Sequence, residues 1–481
     1  MKVLLLTISV LAFTISFGQN MPDDFLSSDF HKERRALVRE KMPVNSVAVF
    51  FANPVRNRSN DVDYIYHQDP NFYYLSGYKE PHAVLLIFKE SQQGPNGTYD
   101  EIIFIQPRNA MAEMWTGRRL GIEGVKDKLA FSQAFNNTEF ASYNLDFSKF
   151  DKVLFYDFFN DVRDTPIEGD MFDLIAQFKE KSGYPTQGAI NIEASAQNLD
   201  MESLDQIMKD LRGVKTKDEI DLLRKAVDIS CIGQAEVMKA IKPGMSEREV
   251  QGIHEFIFKK YQAEYEGYPS IVGEGNNGCI LHYIDNYKPK ITGDKMILMD
   301  LGAEYHGYTA DVTRTIPVDG KFSPEERIIY DLVYKAQNEA IKAAKPGVHI
   351  GRDLNNGIAK RIINEGLAEL GIIESPQTRH LYYPHGLGHH IGLDVHDKGN
   401  YDYLVAGMTI TIEPGIYIPE GADCDEKWWG IAVRIEDCIL ITEDGNELLS
   451  DLAPRSSSEI EELMKQPSAL DAFILPDLSE E

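Results

Sequence analysis

Asp300 and Asp311 stand in two runs of β-forming residues, 296–302 and 308–317, around Ala-Glu-Tyr-His-Gly, a pattern that predicts a hairpin. With Tyr305 and His306 as a two-residue loop, Asp300 falls directly opposite Asp311, their Cβ atoms about 4.5–5.5 Å apart on one face. Like charges so placed repel. The register is tenable only with a shared proton, a nearby cation, or a divalent metal held by both carboxylates; a slip of one residue would instead turn one aspartate to the wet face. A second concentration of chemistry follows, because five of the twelve histidines fall between 380 and 396. In HGLGHHIGLDVHD (385–397) the glycines at 386, 388 and 392 break any helix and predict a loop entering an extended segment. Glu413 lies in MTITIEPGIYI (408–418), and Glu436 in GIAVRIEDCILIT (430–442), where alternation puts Ala432, Arg434, Glu436, Cys438 and Leu440 on one face. Carboxylates in strands that otherwise read as core need partners, and Arg434 is one that Glu436 could use. Asp300, Asp311, Glu413, Glu436 and one histidine together make four anions and one imidazole, which two divalent cations would neutralise. Oxygen-rich ligation with one nitrogen favours Mn2+, with Zn2+ or Co2+ as alternatives. Such a pair can lower the pKa of a water between the ions and stabilise the oxyanion of an amide under attack.

The elements that must hold these groups can be read along the chain. Its 481 residues, 43% hydrophobic, suffice for two domains with cores of their own, and a net charge of −27 argues against nucleic acid and anionic membrane as partners. Residues 1–19 read as a cleaved signal peptide, with an early lysine, an apolar run and small residues at Ser16 and Gly18, which implies export to the periplasm or medium. No other stretch reaches membrane-spanning length, and no cysteine follows the signal to carry a lipid anchor. Residues 20–205 alternate apolar runs (46–52, 83–88, 101–106 and 152–157) with helical stretches such as 170–180, the pattern of an α/β layer domain. Its polar segments 56–61 and 111–119 read as surface loops.

A second domain, 206–465, opens with Thr216-Lys-Asp-Glu219, a capping box for a helix from Asp218 to about Ile241. Ser246-Glu-Arg-Glu249 and Ser323-Pro-Glu-Glu326 cap two further helices. QAEVMKAIKPG (234–244) and QNEAIKAAKPG (337–347) repeat one another, which predicts an internal duplication and a site between the two halves. Residues 466–481 form an acidic tail. Four scattered cysteines allow one disulfide and require none.

Asp300, Asp311, His389, Glu413 and Glu436 resemble the five-ligand set of the pita-bread metallopeptidases, and HGLGHHIGLDVHD resembles the proline-peptidase signature of that superfamily. RNRSNDVDYIYHQDPNFYYLSGYKEP (56–81) and AEMWTGRRLG (112–121) are similar to the amino-terminal domain of its aminopeptidase P branch. The resemblance implies an α/β (α+β) fold in which a creatinase-like α/β domain precedes a duplicated pita-bread domain, with a homodimer or homotetramer as the assembly. It implies that Asp300 and Asp311 hold one ion, that His389 and Glu413 complete the shell of a second, and that Asp311 and Glu436 bridge the two. Glu413 is also the implied general base or proton shuttle. His282, His385 and His396 would hold the scissile carbonyl and the substrate, with Tyr417, Arg434 and Trp115 supporting. The implied activity is removal of the first residue from peptides whose second residue is proline. The alternatives are an Xaa-Pro dipeptidase with the same ligands and, from another class, an inactive binding module of the same fold. The segment between Glu413 and Glu436 is compact and offers only Lys427 as a cation before Arg434, which favours an open channel over a closed dipeptide site.

Overall fold

The structure, a computed structural model, describes residues 24–94, 97–185 and 198–473. The expected signal peptide and the end of the acidic tail lie outside these residues. The first domain is built on a six-stranded mixed sheet, in the order Ala134–Asn136, Gly97–Ile105, Val84–Gly94, Ser46–Phe51, Lys152–Phe155, Leu199–Asp200. Ser46–Phe51 pairs antiparallel with Val84–Gly94 and parallel with Lys152–Phe155. Its core residues Val47, Ala48 and Val49 are wholly buried, as are Leu85, Leu86 and Ile87 beside them. Sheets covered on both faces read as unbroken apolar runs, which is why these strands were legible without alternation. Of the two polar segments expected as loops, residues 57–63 form a small exposed hairpin and Ala110–Thr116 a short helix with no buried residue.

The second domain is organised by two long helices, Lys217–Ala240 and Pro324–Ala343, each opened by the expected capping box, Thr216 with Glu219 and Ser323 with Glu326. The box closes both ways, because each cap hydroxyl accepts from the N3 amide and each N3 carboxylate accepts from the cap amide. One apolar stripe of each helix (Leu222, Leu223, Ala226 and Val227; Ile329, Tyr330, Val333 and Ala336) packs into the core. Burial of each large aliphatic side chain contributes about 1.5–3 kcal/mol. Against these helices lie short, curved ladders: Ile271–Glu274, Met296–Leu301 and Val312–Pro317 in one half; Thr409–Ile412, Asp437–Ile441 and Asn446–Leu448 in the other. Gly415–Ile418 pairs with Ile431–Arg434 beside the second set. All four cysteines are free. Among the described residues no helix is long and apolar enough to cross a membrane.

The hairpin register differs from the expected one. Tyr305 pairs with Tyr308 and Asp300 with Thr313, so the two-residue loop is His306-Gly307 and Asp311 lies diagonal to Asp300 rather than opposite it. The reason is turn chemistry. The favoured hairpin turn needs positive φ at both central residues, which His306 (φ 53°) and Gly307 (φ 89°) supply. His306 is held there by stacking on Phe25 at 3.7 Å and by hydrogen bonds to Glu264 and Asp24. Moving the turn by one residue shifts the pairing by two, which preserves the face, and both aspartates still point the same way.

Candidate metal centre

The site forms where ladders are interrupted. Asp300 is the penultimate residue of its strand, and Asp311 lies immediately before Val312–Pro317. Glu413 and Glu436 occupy the gaps between Ile412 and Gly415 and between Arg434 and Asp437. Ile412 pairs with Asp437 and Gly415 with Arg434. Carrying that register through the gap sets Glu413 opposite Glu436, so the direct opposition expected of the aspartates occurs between the glutamates. The histidine segment runs alongside as an extended strip: Thr411 N donates to His389 O (2.8 Å) and Glu413 N to Leu387 O (2.8 Å). Gly388 permits this approach, since a Cβ there would meet the Thr411 carbonyl oxygen at 2.0 Å.

These elements enclose a cavity of about 270 Å3 whose lining includes His282, Asp300, Asp311, His385, His389, His396, Glu413, Arg434 and Glu436. Ligand atoms of Asp311, His389 and Glu436 lie within 4.8 Å of one another. His389 Nε2 is 3.4 Å from Asp311 and 3.6 Å from Glu413. Tyr417 does not line this cavity but touches two residues that do, His385 and Arg434. His390, within the same motif, is excluded from the site: it is fully buried and bonds to the Asn400 carbonyl. Trp115 is 85% exposed on the short helix Ala110–Thr116 and does not line the cavity of its own chain. Trp428 packs in the core, and Lys427 lies against its ring at the surface.

The electrostatics explain why a cation fits. Burial raises the Asp311 carboxyl well above the carboxylate range, with the Asp300 charge adding to it. Glu436 is raised by burial and then by Asp311, and Glu413 by burial and then by Glu436, to about 8. Asp300 moves the other way. Burial opposes its charge, but the Arg434 guanidinium at 2.5 Å and the Tyr268 hydroxyl at 2.6 Å outweigh that cost. Arg434 therefore pairs with Asp300 and not with Glu436, because the break in the strand turns Glu436 toward Thr313, whose hydroxyl donates to it at 2.7 Å. The other Glu436 oxygen, Oε1, is buried and has no hydrogen-bond partner among the described residues. Crowded carboxylates, one imidazole and an orphaned buried oxygen are a donor set that divalent cations satisfy.

A chain of hydrogen bonds stiffens the adjoining wall. Arg434 donates to the Tyr417 hydroxyl (2.9 Å), and Tyr417 reaches His385 Nε2 (2.9 Å). His385 Nδ1 faces the Gly386 carbonyl at 2.8 Å. Burial and then Arg434 lower His385 to about 4, so the ring is neutral. With Nδ1 donating to the carbonyl, Nε2 accepts from Tyr417.

Two contributors escaped the sequence reading. Tyr268 bridges Asp300 and Asp311 at 2.6 and 2.5 Å. Glu247, fully buried, accepts from Glu274 N, Asn277 Nδ2, Tyr283 OH and Lys288 N, and so pins the loop that carries His282. Nothing local marks either residue, since the Tyr-Pro dipeptide and the capping-box helix start look ordinary.

Residues 221–443 match Metallopeptidase family M24, and residues 31–154 match the Aminopeptidase P, N-terminal domain. The Xaa-Pro aminopeptidase of Haemophilus influenzae is 37% identical, covering 91% of this chain and 98% of its own length. Escherichia coli aminopeptidase P with the inhibitor Pro-Leu superposes with a TM-score of 0.80 at 33% identity, over 92% of this chain and 98% of that one. A zinc-substituted form of the E. coli enzyme in complex with product superposes with a TM-score of 0.79 at the same identity and coverage.

Proposed function

The chain belongs to metallopeptidase family M24 as a metal-dependent aminopeptidase of the Xaa-Pro aminopeptidase group, and from that premise we propose that it releases the first residue of peptides whose second residue is proline. The observation that carries the reading is the set of four largely buried carboxylates and one imidazole around a single cavity, three of the carboxylates driven toward protonation. Asp300, Asp311, His389, Glu413 and Glu436 are the proposed ligands of two divalent ions, with Mn2+ favoured by the oxygen-rich donor set and Zn2+ or Co2+ as alternatives. Bound ions of this kind supply neutralising charge and Lewis-acid polarisation of the scissile carbonyl and the attacking water.

The residues do the rest. Glu413, which lines the cavity, takes a proton from water and passes it to the departing proline nitrogen, which leaves as an amine and needs one. His282 and His396 line the cavity as proposed donors to the substrate carbonyl, and neutral His385 lines the same cavity. An Xaa-Pro amide has no N–H to recognise, so selection rests on the shape of the ring.

A larger groove of about 570 Å3, lined in part by Leu281, Leu381, Tyr382, Tyr417 and Pro419, adjoins the site and shares Leu281 with it. Arg434 is committed to Asp300, Tyr417 and Thr313. Both features support peptides longer than two residues over the dipeptidase alternative. On one metal-loaded preparation, Xaa-Pro tripeptides should be cleaved with higher kcat/KM than Xaa-Pro dipeptides, and replacing proline with alanine should cost at least about tenfold, roughly 1.4 kcal/mol. A preference for the dipeptide would transfer the assignment to the dipeptidase. Elemental analysis should find close to two divalent ions per chain, and exhaustive chelation should abolish hydrolysis. Export is part of the proposal: the mature chain should begin near Gln19 or Asn20, which N-terminal sequencing from the native host would check. So is a dimer or tetramer, which light scattering would reveal.

A further inference from the structure

The repeated helix ends carry Gln234 and Gln337 at the same position of QAEVMKAIKPG and QNEAIKAAKPG, and catalysis as described leaves both unused. Both are fully buried, and neither lines the cavity. Gln234 Nε2 donates to the carbonyl oxygens of Met299 (3.1 Å) and Val312 (2.8 Å). Gln337 Nε2 donates to the carbonyl oxygens of Ile412 (3.1 Å) and Ile435 (2.9 Å), with Asp437 Oδ2 (2.8 Å) sharing its two hydrogens. In sequence, Met299 precedes Asp300 and Val312 follows Asp311, while Ile412 precedes Glu413 and Ile435 precedes Glu436. One side-chain donor therefore falls beside each of the four carboxylates.

The placement has a physical reason. Three of the four carboxylates stand where ladders begin or are interrupted: Asp311 precedes the strand that Val312 opens, Glu413 follows the one Ile412 closes, and Glu436, like Ile435, lies between two strands, while Asp300 is still paired with Thr313. Backbone pairing cannot hold the spacing of two strands where it stops, whereas an amide with two hydrogens can bind one carbonyl from each. Gln234 Oε1 has no partner among the described residues, so the donors are what this amide contributes. A buried glutamine that merely satisfies stray carbonyls would account for one such arrangement. It would not account for two, at equivalent positions of a duplication, that together reach all four carboxylate positions.

We infer that Gln234 and Gln337 are a symmetry-related pair of positioning residues that set the separation of the four carboxylates and thereby the affinity of the site for divalent cations. The inference rests on the ligand assignment made above. Its test uses Gln234→Met and Gln337→Met, which keep side-chain length and remove both donors. Full-length protein is stripped of metal and titrated with Mn2+ or Zn2+ against a competing chromophoric chelator, and the metal-free urea midpoint is recorded alongside. Each variant should bind metal about tenfold to a hundredfold more weakly than wild type. A lower urea midpoint with an unchanged metal Kd would mean a purely structural role and overturn the inference. Should a methionine variant not fold, Gln234→Glu and Gln337→Glu retain the shape and, when protonated, one donor. They should show a smaller but measurable loss of affinity, and equality with wild type overturns the inference equally. Wild-type protein that binds neither ion would overturn the ligand assignment and this inference together, whereas tight wild-type binding matched by the variants overturns this inference alone.

Discussion

Asp300 and Asp311 share the Tyr268 hydroxyl yet are held in opposite states, and the difference yields a prediction of opposite sign for one substitution made at each. Asp300 is the counterion of buried Arg434. Asp300→Asn leaves that guanidinium without its charge partner and should destabilise the metal-free protein by about 3 kcal/mol. Asp311, with His389 Nε2 3.4 Å away, is pushed up by burial and by Asp300. Its folded-state pKa exceeds the unfolded value of about 3.9, so its stabilising contribution is present at low pH and lost as pH rises toward neutrality. Asp311→Asn removes that cost and should stabilise the metal-free protein at pH 7, a shift opposite in sign to that of Asp300→Asn. Both variants should lose at least about a hundredfold in kcat/KM, near 2.7 kcal/mol. Chemical denaturation of both metal-free variants decides the question, and shifts of equal sign would contradict the argument.

At the scale of elements, the strip carrying the histidines is held from outside its own domain half. Arg212, on the helix Ser203–Gly213, donates to Asn71 in the first domain and to Asp394 (both 2.7 Å) and also pairs with Asp397. Lys215 reaches Asp397 at 3.0 Å. Asp397 adjoins His396, which lines the cavity. Arg212→Met should therefore cost about 3–5 kcal/mol of stability, as removal of one partner from a buried ion pair does. It should also lower kcat/KM by displacing His396, although Arg212 is not among the residues that line the cavity. Steady-state kinetics at a temperature where the variant stays folded would check this, and unchanged kinetics would show that the strip needs no such anchor.

At the scale of the molecule, each domain buries a histidine in neutral form. His31 packs in the first and His254 in the second, and burial lowers each to about 4. Once unfolded, each takes up a proton below about pH 6.5. The unfolded state thus binds more protons between about pH 6.5 and 4, and stability must fall as pH falls through that window. Urea midpoints should decline across it through the contribution of these two histidines. His254→Leu should flatten the decline, and an equally steep dependence in that variant would reject His254 as a source of it.

What the chain reveals by itself is what local chemistry and short-range pattern dictate. The capping boxes at Thr216, Ser246 and Ser323 formed as read, because a cap satisfies amides only three residues away. The apolar runs of the first domain became its sheet, and the duplication was visible in two helix ends. The grouping of Asp300, Asp311, Glu413 and Glu436 around one cavity was legible because carboxylates in core-like strands demand a shared partner, whereas the family resemblance singled out His389 among its neighbours. Register, pairing and reach were settled only in three dimensions. The His306-Gly307 turn outweighed the expected one because backbone φ selects the loop, and the Phe25, Asp24 and Glu264 contacts that hold His306 come from elsewhere in the chain. Arg434 chose Asp300 over Glu436 because a break in the strand rotated one carboxylate away. Tyr268, Glu247 and Arg212 gained their roles from groups far away in sequence. Each of these outcomes is a competition among long-range contacts, and a linear pattern carries no record of which contact wins.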